Sequence, residues 1–136
     1  MKNKVLIIQA NYYKDISTAL LKSAKNELKN FAKINVISVP GVFEIPVVIS
    51  KNLKKYDGFV ALGCVIKGQT PHFDFISSSV ANGISQLNLK GEVPVIFGVI
   101  TANNYQQAVE RCEDFSYKNK GVEAAVTAIN MINFTV

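Results

Sequence analysis

Four short runs rich in valine and isoleucine constrain this chain more than any other feature: Val5–Gln9, Asn35–Val39, Phe59–Val65 and Val93–Ile100. Each is nearly continuous in hydrophobicity and does not alternate with polar residues. A strand with one wet face alternates, so these runs predict strands covered on both faces. The segments between them step with helical period. Leu21, Ala24, Leu28 and Phe31 form one apolar stripe, Phe73, Ile76, Val80, Ile84 and Leu87 a second, and Val122, Ala125, Ile129 and Ile132 a third. Pro46–Leu53 reads as a shorter helix with proline at its first position. Asn104–Arg111 reads as another, capped by Asn103 with Gln106 three residues on.

Strand and helix therefore alternate four times, with one helix added at the end. That order predicts an α/β fold, a three-layer α-β-α sandwich around a four-stranded parallel sheet. At 136 residues the chain is the length of one domain, expected to run from residue 1 to 136. Charged residues make up only 18%, which excludes a disordered chain, and the 49% apolar share hints at surface buried between subunits. No apolar run approaches the ~20 residues of a membrane span. The start, MKNKVLIIQANYY, has the basic lead of a signal peptide, but its apolar stretch is only Val5 to Ala10 and no small-residue cleavage site follows. It reads as a buried strand, and the chain as cytoplasmic. Cys64 and Cys112 form no CxxC pair and stand beside a single histidine, too few soft ligands for structural zinc. They read as free, reduced thiols. The formal net charge of +5 comes from scattered lysines and one arginine. Such a field suits anionic small molecules at least as well as nucleic acid.

Ligands of open parallel sheets bind beyond the carboxyl ends of the strands. The first run is followed by Asn11-Tyr12-Tyr13, the second by Pro40-Gly41-Val42-Phe43-Glu44, and the third by Lys67-Gly68-Gln69-Thr70-Pro71-His72, while the fourth ends in Phe97-Gly98. Aromatics, a carboxylate, a glycine-bearing loop and the lone histidine thus gather on one rim. Gly68-Gln69-Thr70 opens a helix, with Thr70 as N-cap and Pro71 at the first helical position. That is either an ordinary helix start or a phosphate site made of free N–H groups. Gly41 would permit a turn closed to other residues. Glu44 either complements the next helix dipole or contacts a ligand. His72 is either an idle surface residue or a proton shuttle, a task to which imidazole is suited near neutral pH. Tyr12 and Phe97 are either core aromatics or stacking platforms. Arg111 is either a dipole partner or a fork for phosphate. Cys64 reads most simply as a small buried hydrophobe.

Val39–Pro46 (VPGVFEIP), Gly63–Phe75 (GCVIKGQTPHFDF), Val93–Thr101 (VPVIFGVIT) and Asn119–Met131 (NKGVEAAVTAINM) closely resemble, in this order, segments of the lumazine synthase family. The resemblance runs from Val5 to about Phe134 and implies a flavodoxin-like fold. It also implies the condensation of 5-amino-6-(D-ribitylamino)uracil with 3,4-dihydroxy-2-butanone 4-phosphate to 6,7-dimethyl-8-ribityllumazine, late in riboflavin biosynthesis, with no cofactor and no metal. Residue by residue, it implies that Tyr12 stacks on the pyrimidine and that Val42, Phe43 and Glu44 hold that substrate, Glu44 through its ribityl hydroxyls. Cys64, Val65 and Ile66 would line the ring through their backbone. Gln69 and Thr70 would grip the phosphate, and His72 would donate the proton. Phe97 and Arg111 would come from a neighbouring subunit, Arg111 to bind phosphate. The implied assembly is a homo-oligomer built on pentamers, with sites between subunits.

The chain departs from the family at several points. One extra residue lies between Arg111 and the last helix, a family lysine falls on Phe115, and the arginines expected at 67 and 11 are Lys67 and Asn11. With only Met1–Asn3 ahead of the first strand, and with a bulky Glu113–Lys118 connection, a free pentamer or paired pentamers are expected, not a sixty-subunit shell. The archaeal type of riboflavin synthase shares the fold, but His72 and Glu44 argue against it. A non-catalytic flavin- or nucleotide-binding module of the same fold, and a basic nucleic-acid-binding domain, are the other readings. The first predicts a bound chromophore without turnover, the second an affinity that collapses with salt.

Overall fold

In the computed structural model, residues 3–134 are described. The expectation built on Met1–Asn3 therefore lies mostly outside the described residues, and at Asn3 the first strand has already begun. Four parallel strands form one sheet: β1 (Asn3–Ala10), β2 (Ala32–Val39), β3 (Gly58–Ile66) and β4 (Val95–Ala102), in the order β2-β1-β3-β4. Five α-helices connect and cover them: α1 (Lys14–Leu28), α2 (Ile45–Ser50), α3 (His72–Leu89), α4 (Tyr105–Glu110) and α5 (Lys120–Ile132). A single 3-10 turn, Val42–Glu44, precedes α2.

Successive side chains of a strand point to opposite faces, and the core divides accordingly. Val5 and Ile7 of β1 pack with Val60 and Leu62 of β3 under α1, α4 and α5. Leu6, Ile8 and Ala10 pack with Phe59, Ala61 and Val65 under α2 and α3. The result is the three-layer α-β-α sandwich that the alternation of elements predicts.

The expectation of two covered faces holds for β1 and β3 but fails for β2, whose residues alternate between buried and exposed. β2 lies at the sheet edge, where only α1 reaches it on one side, so Asn35, Ile37 and Ser38 stay open. Helix starts also shift. Asn104, not Asn103, caps α4 by accepting from Gln107 N–H at 2.9 Å, and the Gln107 side chain accepts from Asn103 N–H at 2.8 Å. Two adjacent asparagines left either able to cap, and the backbone chose the second. α3 begins at His72 with Pro71 as its N-cap, one residue beyond the predicted start, and Thr70 Oγ1 makes only a long 3.4 Å contact with His72 N–H. Pro46 stands second in α2, after Ile45, because the 3-10 turn winds directly into that helix.

Candidate active site

After β1 the chain turns through α1 toward β2, and after β3 it turns through α3 toward β4 on the other side. Connections diverge between the carboxyl ends of β1 and β3, the switch point where sheets of this kind bind ligands. A cavity of about 470 Å³ opens there, a volume typical of small-molecule sites. Three of its walls come from Tyr12 and Tyr13 after β1, Gly41–Glu44 after β2, and Cys64–Ile66 at the end of β3. Gly68, Thr70, His72 and Phe73 close the fourth side, with Ile76 behind them.

Close backbone approach shapes the walls. A Cβ on Gly63 would lie 2.6 Å from Val42 Cγ1, so the bare glycine lets the Val42 turn seat against β3. Gly41 departs from its predicted role. Its φ of −146° is extended backbone open to any residue, so no special turn requires glycine there. A Cβ on Gly41 would lie 3.1 Å from Glu44 Oε1, the mobile end of a side chain, so a substitution there would nudge the Glu44 carboxylate. The half-buried Glu44 side chain makes no capping bond to α2, which leaves its carboxylate available at the cavity wall.

Helix starts at the cavity differ from those elsewhere. Asn104 and Asn119 cap α4 and α5 through side-chain oxygens, whereas Tyr13 of α1 and Pro71 of α3 provide no such bond. A good N-cap contributes about 1 kcal/mol, so both rim helices forgo that stability; at α3 the first-turn N–H groups of His72 and Asp74 make only long bonds, to Thr70 Oγ1 at 3.4 Å and Pro71 O at 3.1 Å. Those groups and the positive helix end suit an anion. Tyr12 is 73% exposed and meets the half-buried Tyr13 edge-on, with ring centroids 4.9 Å apart and planes at 83°.

Burial pushes the Cys64 thiol up to about 12, with Cys112 adding a smaller push. Cys64 is thus neutral near pH 7 and cannot act as a thiolate nucleophile. Burial, then Cys64, then Tyr12 raise the Tyr13 phenol as well. Among the described residues no group of His, Cys, Asp and Glu gathers as a metal site would require. A wider groove of about 1030 Å³ runs between α1 and the segment before α5, with Leu21, Ile34, Phe115, Tyr117 and Val122 beside lysines and polar loop residues, and no histidine, cysteine or arginine lines it.

Three expected residues do not line the cavity: Gln69, Phe97 and Arg111. Gln69 is exposed on the loop between Gly68 and Thr70. Phe97 is not at the end of its strand. It pairs with Ala61, five residues before the final Ile66–Ala102 pair, roughly 16 Å along the sheet. It lines instead a groove between α3, β4 and α5. Arg111 ends α4, its Nη1 donating to Gln107 O at 2.9 Å and its carbonyl accepting from Lys120 N–H at 2.7 Å. Sequence reasoning passed over Tyr13, Phe73 and Ile76 as lining residues. Phe73 and Ile76 carried the helical stripe signal of core positions, and Tyr13 adjoined Tyr12 without anything to separate their roles.

Compared with known families, residues 2–135 match the model of 6,7-dimethyl-8-ribityllumazine synthase. With nearly the whole 136-residue chain covered by that match, the protein belongs to the 6,7-dimethyl-8-ribityllumazine synthase family.

Proposed function

We propose that the cavity between the ends of β1 and β3 is where this chain performs the family's reaction. That reaction joins 5-amino-6-(D-ribitylamino)uracil to 3,4-dihydroxy-2-butanone 4-phosphate, giving 6,7-dimethyl-8-ribityllumazine, phosphate and water, the penultimate step of riboflavin biosynthesis. The observation that carries the assignment is the convergence of Tyr12, Glu44, Thr70 and His72 on one cavity at the sheet's switch point.

In this reading Tyr12 offers an open ring face for the pyrimidine. Val42, Phe43 and the backbone of Cys64, Val65 and Ile66 enclose that ring, and Glu44 accepts from ribityl hydroxyls. Gln69, Thr70 and the uncapped start of α3 bind the phosphate. The amine attacks the ketone carbonyl, and water leaves to form an imine. Phosphate elimination and ring closure with loss of a second water then follow, with His72 moving protons at the mouth of the cavity. An amine and a ketone react readily once aligned, so most of the rate comes from holding the two together.

Phe97 and Arg111 enter through a second copy. Neither lines the cavity of its own chain, and Phe97 sits in a separate groove between α3, β4 and α5. Helix α3, beside that groove, carries one charged residue, Asp74, in 18 positions and exposes Phe75 and Leu89. A surface so poor in charge suits contact between subunits. The assembly is read as a homopentamer of single-domain chains with sites between neighbours. The place of action is read as the cytoplasm, which the two free cysteines favour. Mixing purified protein with both substrates and following lumazine fluorescence tests the assignment. Turnover that vanishes when either substrate is omitted supports it, and a bound chromophore without turnover refutes it.

A further inference from the structure

Tyr13 occupies a position that its helix would fill better with another residue. It is the N-cap of the 15-residue α1, yet its side chain caps nothing, and only its carbonyl serves the helix by accepting from Ser17 N–H at 2.9 Å. Sequences depart from local preference at functional sites more than elsewhere. The Tyr13 ring is half-buried, packs against the core under α1, and lines the cavity. Beside it, Tyr12 stands on a connecting segment with its ring largely in solvent and meets the Tyr13 ring edge to face.

We propose that Tyr13 is a positioning residue, which holds the Tyr12 ring in the plane on which the substrate's flat pyrimidine stacks. The two rings stand 4.9 Å apart and nearly perpendicular, at 83°. Edge-to-face contact is the favoured arrangement of two aromatic quadrupoles, and it leaves at least one face of Tyr12 free for a third ring. Tyr13 is anchored on both sides, by the helix start through its backbone and by the core through its ring. Tyr12 is anchored on neither. A stacking surface fixed before binding costs the ligand less ordering than one that rotates freely, so the gain falls on the pyrimidine and not on the sugar phosphate. This inference rests on the reading of Tyr12 as the stacking residue.

Steady-state kinetics of Tyr13→Leu, Tyr13→Phe and Tyr12→Leu test both ideas. Tyr13→Leu is expected to raise KM for the pyrimidine about three- to ten-fold while shifting KM for the butanone phosphate less than about two-fold. Tyr13→Phe keeps the ring edge and is expected to behave as the parent. Adding Tyr13→Leu to Tyr12→Leu should cost nothing further, because the held ring is already gone. Equal shifts of both constants, a Tyr13→Phe variant as poor as Tyr13→Leu, or additive effects in the double variant would overturn the proposal. Should Tyr13→Leu fail to fold, Tyr13→Asn replaces it, removing the ring while supplying the cap oxygen that α1 lacks. If Tyr12→Leu leaves the pyrimidine constant unchanged, the stacking reading itself fails. If Tyr12→Leu raises it and Tyr13→Leu does not, only the positioning role falls.

Discussion

Gly63 on β3 and Val42 in the 3-10 turn after β2 approach so closely that a Cβ on the glycine would stand 2.6 Å from Val42 Cγ1 and 3.1 Å from Ala10 Cβ. The contact joins the wall after β2 to the floor formed by β1 and β3. Gly63→Ala should push the Val42 turn outward. Overpacking of this kind costs about 1–3 kcal/mol, several degrees of Tm for a domain this size. The variant should also bind a ribityl pyrimidine analogue more weakly. Thermal unfolding and titration together check this, and an unchanged Tm would show that the turn moves freely.

Cys64 makes stability depend on alkaline pH. Its folded pKa is pushed from 9.0 up to about 12 by burial, so the unfolded thiol ionises first as pH rises. The stabilisation is fully present below about pH 9 and is lost progressively toward pH 12. Burial raises Cys112 and Tyr13 in the same direction. Denaturant unfolding at pH 8 and pH 10 should show a loss in the parent that Cys64→Ala reduces. An equal loss in both would exonerate Cys64.

His72 stands at the first position of α3 on the cavity rim. Replacing it with alanine should lower turnover by about 10²-fold, the usual scale of a positioned acid or base. Binding of a ribityl pyrimidine analogue should stay nearly intact, since His72 is exposed and supports no core packing. Single-turnover kinetics and equilibrium titration separate the two effects. A variant with parental turnover would remove His72 from the chemistry.

Arg111→Lys should weaken the butanone phosphate far more than the pyrimidine, by about ten-fold or more, the scale of a lost hydrogen bond to a charged group. Lysine keeps the charge and loses the planar fork. Similar changes in both Michaelis constants would mean that Arg111 serves α4 alone, through its 2.9 Å bond to Gln107 O.

Sedimentation velocity should find a dominant species near five times the 14.9 kDa chain mass, or twice that for paired pentamers, and not sixty times it. Phe115 and Tyr117 project into solvent from the connection between α4 and α5, 106% and 93% exposed, and Phe115 adopts a φ of 63° that bulky residues rarely accept. Such a projecting segment would obstruct close packing of one pentamer on another. A monomer at working concentration would contradict the shared site.

The fold was legible because β1 and β3 are hydrophobic on both sides and α1, α3 and α5 carry clear stripes. Period and covering are local properties, written in consecutive residues. β2 was legible as a strand but not as an edge, because edge position depends on which strands the chain places beside it. Helix starts at Asn104 and His72 were missed by one residue, since neighbouring residues had equal claim and only backbone geometry separated them.

Most of the candidate site was visible for a related reason. Tyr12, Glu44 and His72 follow the ends of strands, and in a parallel sheet those ends share one rim. What the sequence by itself determined was the set of elements, their parallel order and the chemistry collected on that rim. The tertiary structure alone decided that Tyr13 braces Tyr12 and that Gly63 yields room for Val42. It also decided that Phe97 and Arg111 do not line the cavity of their own chain. A glycine's close neighbours and the register of Phe97 opposite Ala61 are relations between segments distant in the chain, and the Tyr12–Tyr13 ring angle depends on how Tyr13 packs against the core; none is fixed until the sheet is packed.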